Sequence, residues 1–122
     1  MGRRCLGLCR KKGVLVVAPV QDFAENIDKV NSYPNKYLAN GHVLNNFITV
    51  AASDSTGTPF SQSNYGKNRL DFFAPGVTMS STYLGNTYRE ASSSLLAAAS
   101  TVGVAALIKS YYPHLTAQQI RM

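Results

Sequence analysis

The chain has 122 residues, enough for one small domain or for part of a larger one. Hydrophobic residues make up 45% of it and charged residues 15%, a balance that favours a packed core over disorder. No uninterrupted apolar run reaches the roughly 18–20 residues that a membrane span needs, so we expect no membrane partner.

The net charge of +6 is concentrated near the N-terminus. Five of the twelve cations lie within residues 1–12, and beyond that segment seven cations face six acids. A protein groove that follows nucleic-acid phosphates needs cations spread over a folded face. We therefore expect a basic tail over residues 1–10 and no nucleic-acid partner.

Cysteine usage points to neither a disulfide framework nor a metal site. Cys5 and Cys9 are the only cysteines, and no histidine or further cysteine lies near them in the sequence. Two thiolates are too few ligands for a structural zinc ion. The sequence predicts two free thiols and no metal site.

Two continuous apolar and β-branched runs, residues 14–18 and 47–52, predict parallel strands that are buried on both faces. The polar connection between them is long enough for a crossover. The first run follows a basic start, as in a secretory signal, but Ala18-Pro19-Val20 is a poor cleavage site, so a strand is favoured. Shorter strands are predicted at residues 60–63, 70–73 and 77–81.

The longest helical signal runs from about Ser94 to Tyr112 and is followed by Pro113. Its apolar residues occupy every side of the helix, which predicts a helix buried at the centre of a larger domain. A capping box at residues 116–119 begins a second helix. Together these elements predict an α/β fold with a mostly parallel sheet and a buried central helix.

Several segments resemble, in order and spacing, the C-terminal half of the catalytic domain of subtilisin-like serine proteases, the subtilase family. The segments are K-G-V-L-V-V-A at 12–18, F-I-T-V-A-A-S-D at 47–54, F-S-Q-S-N-Y-G at 60–66, L-D-F-F-A-P-G at 70–76 and G-V-A-A-L-I at 103–108. The resemblance implies that residues 11–122 are the C-terminal part of a subtilase-like catalytic domain, truncated at both ends, with a partial subtilisin-like fold.

The resemblance also shows where the catalytic motifs are altered. Counted from both sides, the family's nucleophilic serine falls on Leu95, and its oxyanion asparagine falls on Gln21. Ala18, Pro19 and Val20 then form a degenerate wall of the substrate pocket, in which Pro19 lacks a backbone donor. The family's catalytic aspartate and histidine lie upstream of every matched segment, so we expect no intact catalytic residue.

Other residues imitate parts of the triad without matching it. Asp54-Ser55-Thr56-Gly57 resembles the family's D-[ST]-G motif but follows the wrong strand. Neither His42 nor His114 is followed by the Gly-Thr pair of the family's histidine motif. Ser94 is the nearest hydroxyl to the nucleophile position, but one residue along a helix turns it about 100° away.

Three functional hypotheses remain open. The first is a fragment of a subtilisin-like serine endopeptidase that is inactive as it stands, because the triad's Asp, His and Ser are absent. The second is a non-catalytic pseudoprotease that holds extended peptides by β-augmentation. The third is a small basic nucleic-acid binder, whose affinity would fall steeply with salt.

The resemblance carries further expectations about partners and location. It implies a peptide or protein substrate, no cofactor, and the missing N-terminal half of the domain as a partner. Subtilases of this kind are usually secreted, and this sequence shows no clear signal segment, so the compartment stays open.

Overall fold

The computed structural model describes residues 2–38 and 41–122, with side chains from residue 5 onward. Its elements in chain order are α1 (Gly2–Lys11), β1 (Val16–Pro19), β2 (Phe47–Ser53), β3 (Phe72–Pro75), β4 (Met79–Tyr83), β5 (Thr87–Ala91), α2 (Ser94–Tyr111) and α3 (Ala117–Arg121). They form an α/β arrangement, as predicted.

A parallel sheet of three strands in the order β1-β2-β3 organises the chain. Val16 of β1 pairs with Phe47 of β2, and Val50 of β2 pairs with Phe72 of β3. All seven residues of β2 are buried, since this strand has a neighbour on each side and is covered on both faces. The prediction of a buried parallel sheet is confirmed.

The two faces of the sheet are covered by different parts of the chain, because alternate side chains of a strand point to opposite faces. On one face, α2 packs through Ala97 and Ala98 against Ile48, Val50 and Ala52 of β2. The opposite face is covered by α1 and by the connection from β1 to β2. The side chains that pack there are Leu6, Val16, Ala18, Val20, Ile27, Leu38, Leu44, Phe47, Ala51 and Leu70.

The predicted burial of the central helix holds for one of its faces only. Ser94, Ala97 and Ala98 are buried, and all three lie on the side that meets the sheet. The opposite side is apolar and exposed, because the described residues place nothing over it. Its large exposed side chains are Leu95, Val102, Val104, Leu107 and Tyr111.

By length and composition, α2 could also cross a membrane, with 18 residues and a mean hydropathy of 1.4. The expectation that no segment reaches this length is therefore wrong on this measure, since serine, threonine and one lysine leave the segment apolar on average. The packing of α2 on the sheet is that of a core helix in a globular domain. Such helices pass the same test, so the length of α2 is weak evidence for a membrane span.

The N-terminal segment, predicted only as a basic tail, forms the helix α1. Leu6 packs near Ala18 and Phe47, so α1 is attached to the core on the face opposite α2. Cys5 is exposed and Cys9 is half-buried, and both are free thiols on this helix.

The shorter strands depart from the sequence prediction by small shifts and one omission. The predicted strands at 70–73 and 77–81 lie two residues later, as β3 and β4. The predicted strand at 60–63 is instead a turn in which the Ser63 N–H donates to the Phe60 carbonyl. The strand β5, absent from the prediction, pairs with β4 in an exposed antiparallel hairpin.

Candidate functional site

The amino end of α2 lies beside the carboxyl end of the sheet. The Gly76 N–H donates to the Ser53 carbonyl at 3.0 Å, and the Ser93 N–H donates to the Gly76 carbonyl at 2.9 Å. A side chain at Gly76 would bring its Cβ within 2.7 Å of the Ser93 carbonyl oxygen and 2.9 Å of Ala97 Cβ. Only glycine therefore lets the end of β3 run this close to α2.

The carboxylate of Asp22 caps the start of α2. The Ser93 hydroxyl donates to Asp22 Oδ2 at 2.7 Å, and the Ser94 N–H donates to the same oxygen at 3.1 Å. Ser93 Oγ in turn accepts from the Leu95 N–H at 3.1 Å. A negative charge at a helix N-terminus is stabilising, because the unpaired N–H groups and the helix dipole both favour it.

Asp22 is the residue at this site that the sequence analysis missed. It follows β1 and is 71 residues from Ser93, so no local pattern links the two. The side-chain oxygen of Asn64 fixes the segment after Asp22, since it accepts from the N–H groups of Phe23 and Glu25. The amide nitrogen of Asn64 is buried without a hydrogen-bond partner.

The two hydroxyls nearest the predicted nucleophile position are both engaged. Ser93 Oγ is held by Asp22, as described, and serves as the N-cap of α2. Ser94 is fully buried, and its Oγ lies 2.8 Å from Ser63 Oγ. Neither hydroxyl is free to attack a substrate.

Leu95 itself is 66% exposed at the first turn of α2. Its side chain is a hydrocarbon and can neither donate nor accept a proton. That this position corresponds to the family's nucleophile stays a prediction, and the geometry adds that the position faces outward.

Gln21 and the predicted pocket wall lie next to this helix start. Gln21 is exposed, and its carbonyl accepts from the Asn64 N–H at 2.8 Å. The contact between Asp22 and Ser93 thus brings the segments predicted as oxyanion and nucleophile regions together. The carboxylate that faces the helix, however, belongs to Asp22 and not to the residue predicted for that role.

The predicted pocket wall is mostly filled. Ala18 and Val20 are buried in the core, and Pro19 is half-buried. Pro19 and Val20 line a cavity of about 10 Å³, room for one water molecule at most. No apolar side chain of a peptide fits in a space of this size.

The histidines lie elsewhere. His114 follows the carboxyl end of α2, where its ring meets Tyr112 edge-to-face at 6.4 Å. Eighteen helical residues at 1.5 Å per residue separate it by roughly 27 Å from the start of α2. His42 lies in the connection that leads to the amino end of β2. The described residues therefore contain no Ser–His–Asp arrangement.

Asp54 is a turn residue. A hydrogen bond from the Thr56 hydroxyl and one from the Thr58 N–H hold the pKa of the Asp54 carboxyl below its usual value. Its oxygens are thus occupied by its own loop. Within the described ranges, no three His, Cys, Asp or Glu side chains converge in a way that could hold a metal ion.

The strongest electrostatic cluster, around Asp71, is structural. Lys36 Nζ lies 2.9 Å from Asp71 Oδ1, and an Arg121 nitrogen lies 2.8 Å from the same oxygen. Partial burial acts to raise the pKa of Asp71, but hydrogen bonds from Arg121, Lys36 and the Thr49 N–H outweigh it and hold the pKa below its usual value. The cluster ties α3 to β2 and to the segment before β3.

Comparison with known proteins matches the chain to a model of the subtilase family over residues 10–122. It is 41% identical over 90 residues to the thermostable alkaline protease of Halalkalibacterium halodurans, covering 74% of this chain and 23% of that protein. It is 36% identical over 110 residues to subtilisin DY of Bacillus licheniformis, covering 89% and 37%. The chain thus spans between a quarter and two fifths of these relatives.

Solved structures show the same fold. The chain superimposes on the prenylagaramide maturation protease PagA with a TM-score of 0.81 at 21% identity, covering 97% of this chain and 42% of that one. A cold-adapted subtilisin-like serine proteinase gives a TM-score of 0.79 at 24% identity, covering 94% and 38%.

Proposed function

This chain belongs to the subtilase family, and from that premise we propose that it is a non-hydrolysing piece of a subtilisin-like serine endopeptidase. One observation carries the proposal: the start of α2 presents Leu95 outward, while Asp22 closes the helix N-terminus. Both features oppose the chemistry that the family name implies.

Peptide hydrolysis by a serine protease needs an activated hydroxyl, a base that takes its proton, and donors for the oxyanion. Leu95 supplies no hydroxyl. The Asp22 carboxylate already occupies the Ser94 N–H, and its negative charge would repel an oxyanion that develops beside it. In subtilisin itself, a measured case, loss of the nucleophile or the base alone lowers turnover about 10⁶-fold.

We propose the remaining, N-terminal part of a subtilase domain as a partner, with peptide or protein substrates belonging to the complete domain. The relatives' greater length supports this, since the chain covers at most 37% of the two that are described above. A segment that supplied an aspartate and a histidine would still meet Leu95 where a hydroxyl is required. Addition of such a segment is therefore expected to complete the fold without restoring hydrolysis.

Binding of extended peptides without cleavage is the second candidate. The outer edges of β1 and β3 are unpaired within the described sheet, and such edges can accept an added strand. The cavity of about 10 Å³ at Pro19 and Val20 would give such a peptide no side-chain pocket. For this reason peptide binding ranks below the inactive fragment.

The test is a hydrolysis assay on the purified chain with casein and with a fluorogenic peptide, beside L95S, S93A and S94A. We expect no turnover above the buffer blank for the wild type or for L95S, because no base lies near position 95. Turnover that S93A or S94A abolishes would overturn the proposal. Fluorescence anisotropy with the same labelled peptide separates the candidates, since saturable binding without cleavage would support the second.

A further inference from the structure

The side of α2 that faces away from the sheet forms a continuous apolar surface. We call it the outward face and define it by exposed residues that carry no charge: Leu95, Ala99, Val102, Gly103, Ala106 and Leu107. An exposed apolar surface of this kind, continuous along a helix, is typical of an interaction site.

Gly103, at the centre of the outward face, has no role within the described chain. A Cβ added there would meet no atom within 4 Å, whereas one at Gly76 would collide with Ser93 and Ala97. Glycine weakens a helix relative to alanine, so its presence here needs another reason. Together with Ala99 and Ala106 it lets a second helix approach the backbone closely, as ridges and grooves of packed helices require.

An open apolar groove runs beside the outward face. Its volume is about 210 Å³, and the side chains that line it include Leu15, Val17, Val102, Ala106 and Ile120. The groove continues the outward face toward β1 and α3. It offers space for the large side chains of a helix that crosses α2.

The charge distribution indicates which occupant this surface suits. Five of the twelve cations lie within residues 1–12, and α1 packs through Leu6 on the face of the sheet opposite α2. A second copy that docks on the outward face would keep these positive segments apart, with the two sheets and helices between them. Contact through the α1 side would bring like charges together.

We propose that the outward face docks on the same face of a second copy, in a two-fold dimer whose α2 helices cross at Gly103. A two-fold contact uses the same patch on both subunits, which suits an uncharged surface. An antiparallel crossing at Gly103 would set Ala99 against Leu107 of the partner subunit, a small side chain against a large one. This proposal is independent of whether the chain hydrolyses peptides.

The experiment is sedimentation equilibrium of the full chain over a range of concentrations, for the wild type, G103L, V102D and V30D. Val30 is 47% exposed and Val102 50%, but Val30 lies in the connection that covers the other face of the sheet, so V30D is the matched control. We expect a monomer–dimer equilibrium that G103L and V102D each weaken at least tenfold and that V30D leaves unchanged. Circular dichroism checks that each variant is folded.

Three outcomes would overturn the proposal. The first is a wild-type monomer at the highest soluble concentration, and the second is a dimer that both G103L and V102D leave intact. The third is another occupant: open-ended aggregates, or a different polypeptide held in equal amount and cross-linked to G103C. A symmetric cross-linked pair of G103C chains, identified by mass spectrometry, supports the dimer.

Discussion

The strand β2 and the helix α2 are both apolar throughout, yet they have opposite fates. Every residue of β2 is buried, whereas three of the eighteen residues of α2 are. β2 has strands on both edges and layers on both faces, while α2 has the sheet on one side only. Apolar composition thus shows what a segment can bury, and its neighbours decide what it does bury.

The largest contrast is expected between two leucines, one in each environment. Leu44 is fully buried against Phe47 of β2, and Leu95 is 66% exposed on α2. L44A should lower the free energy of unfolding by about 2–5 kcal/mol, through lost burial and a cavity. L95A should change it by no more than about 0.5 kcal/mol, measured by urea denaturation at low protein concentration. Equal effects would remove the distinction.

D71N should have the next largest effect, because it leaves the buried Lys36 ammonium without its carboxylate. We expect a loss of about 3 kcal/mol at pH 7. The folded pKa of Asp71 is lowered, so its stabilisation is complete above the unfolded pKa and is lost as pH falls through the folded pKa. Wild-type stability should therefore fall below about pH 4, and less steeply in D71N. Parallel pH profiles would contradict this.

The two glycines beside and on α2 test its two sides. G76A should destabilise by about 1–3 kcal/mol, because its Cβ would meet the Ser93 carbonyl at 2.7 Å. G103A should stabilise the monomer by about 0.5–1 kcal/mol, because its Cβ meets nothing and alanine favours helix. Thermal unfolding of dilute samples measures both signs. A loss of stability in G103A at low concentration would show that the outward side of α2 is covered within the chain.

The smallest effect concerns the start of α2. S93A removes the N-cap that accepts from the Leu95 N–H and donates to Asp22. We expect a loss of about 1 kcal/mol in the free energy of unfolding. S110A is the control, since Ser110 is exposed near the other end of the same helix. The capping role is wrong if the two variants have equal stability.

Periodicity and composition predicted the two main strands and the long helix, because each is a long run with a single pattern. They did not predict α1, whose basic residues indicate a tail, or β5, whose polar and charged residues lie on an exposed hairpin. The exposed side of α2 also escaped prediction. An apolar sequence indicates burial, but exposure depends on which neighbours are present.

The candidate site was predicted in part. The resemblance placed two altered motifs at residues 18–21 and at Leu95, and the structure brings these segments together. The residue that joins them, Asp22, could not be predicted, because its contact with Ser93 spans 71 positions and has no local signature. The filling of the pocket wall by Val20 likewise depends on packing against Ile27 and Ala51, which are distant in sequence.

The most direct test of the central claim is to treat the intact chain with a fluorophosphonate, which labels activated serines, and to measure its mass. We predict no adduct, because Ser93 is held by Asp22, Ser94 is buried against Ser63, and position 95 is leucine. A stoichiometric adduct that maps to Ser93 or Ser94 would contradict the account, since it would show an activated nucleophile at the start of α2.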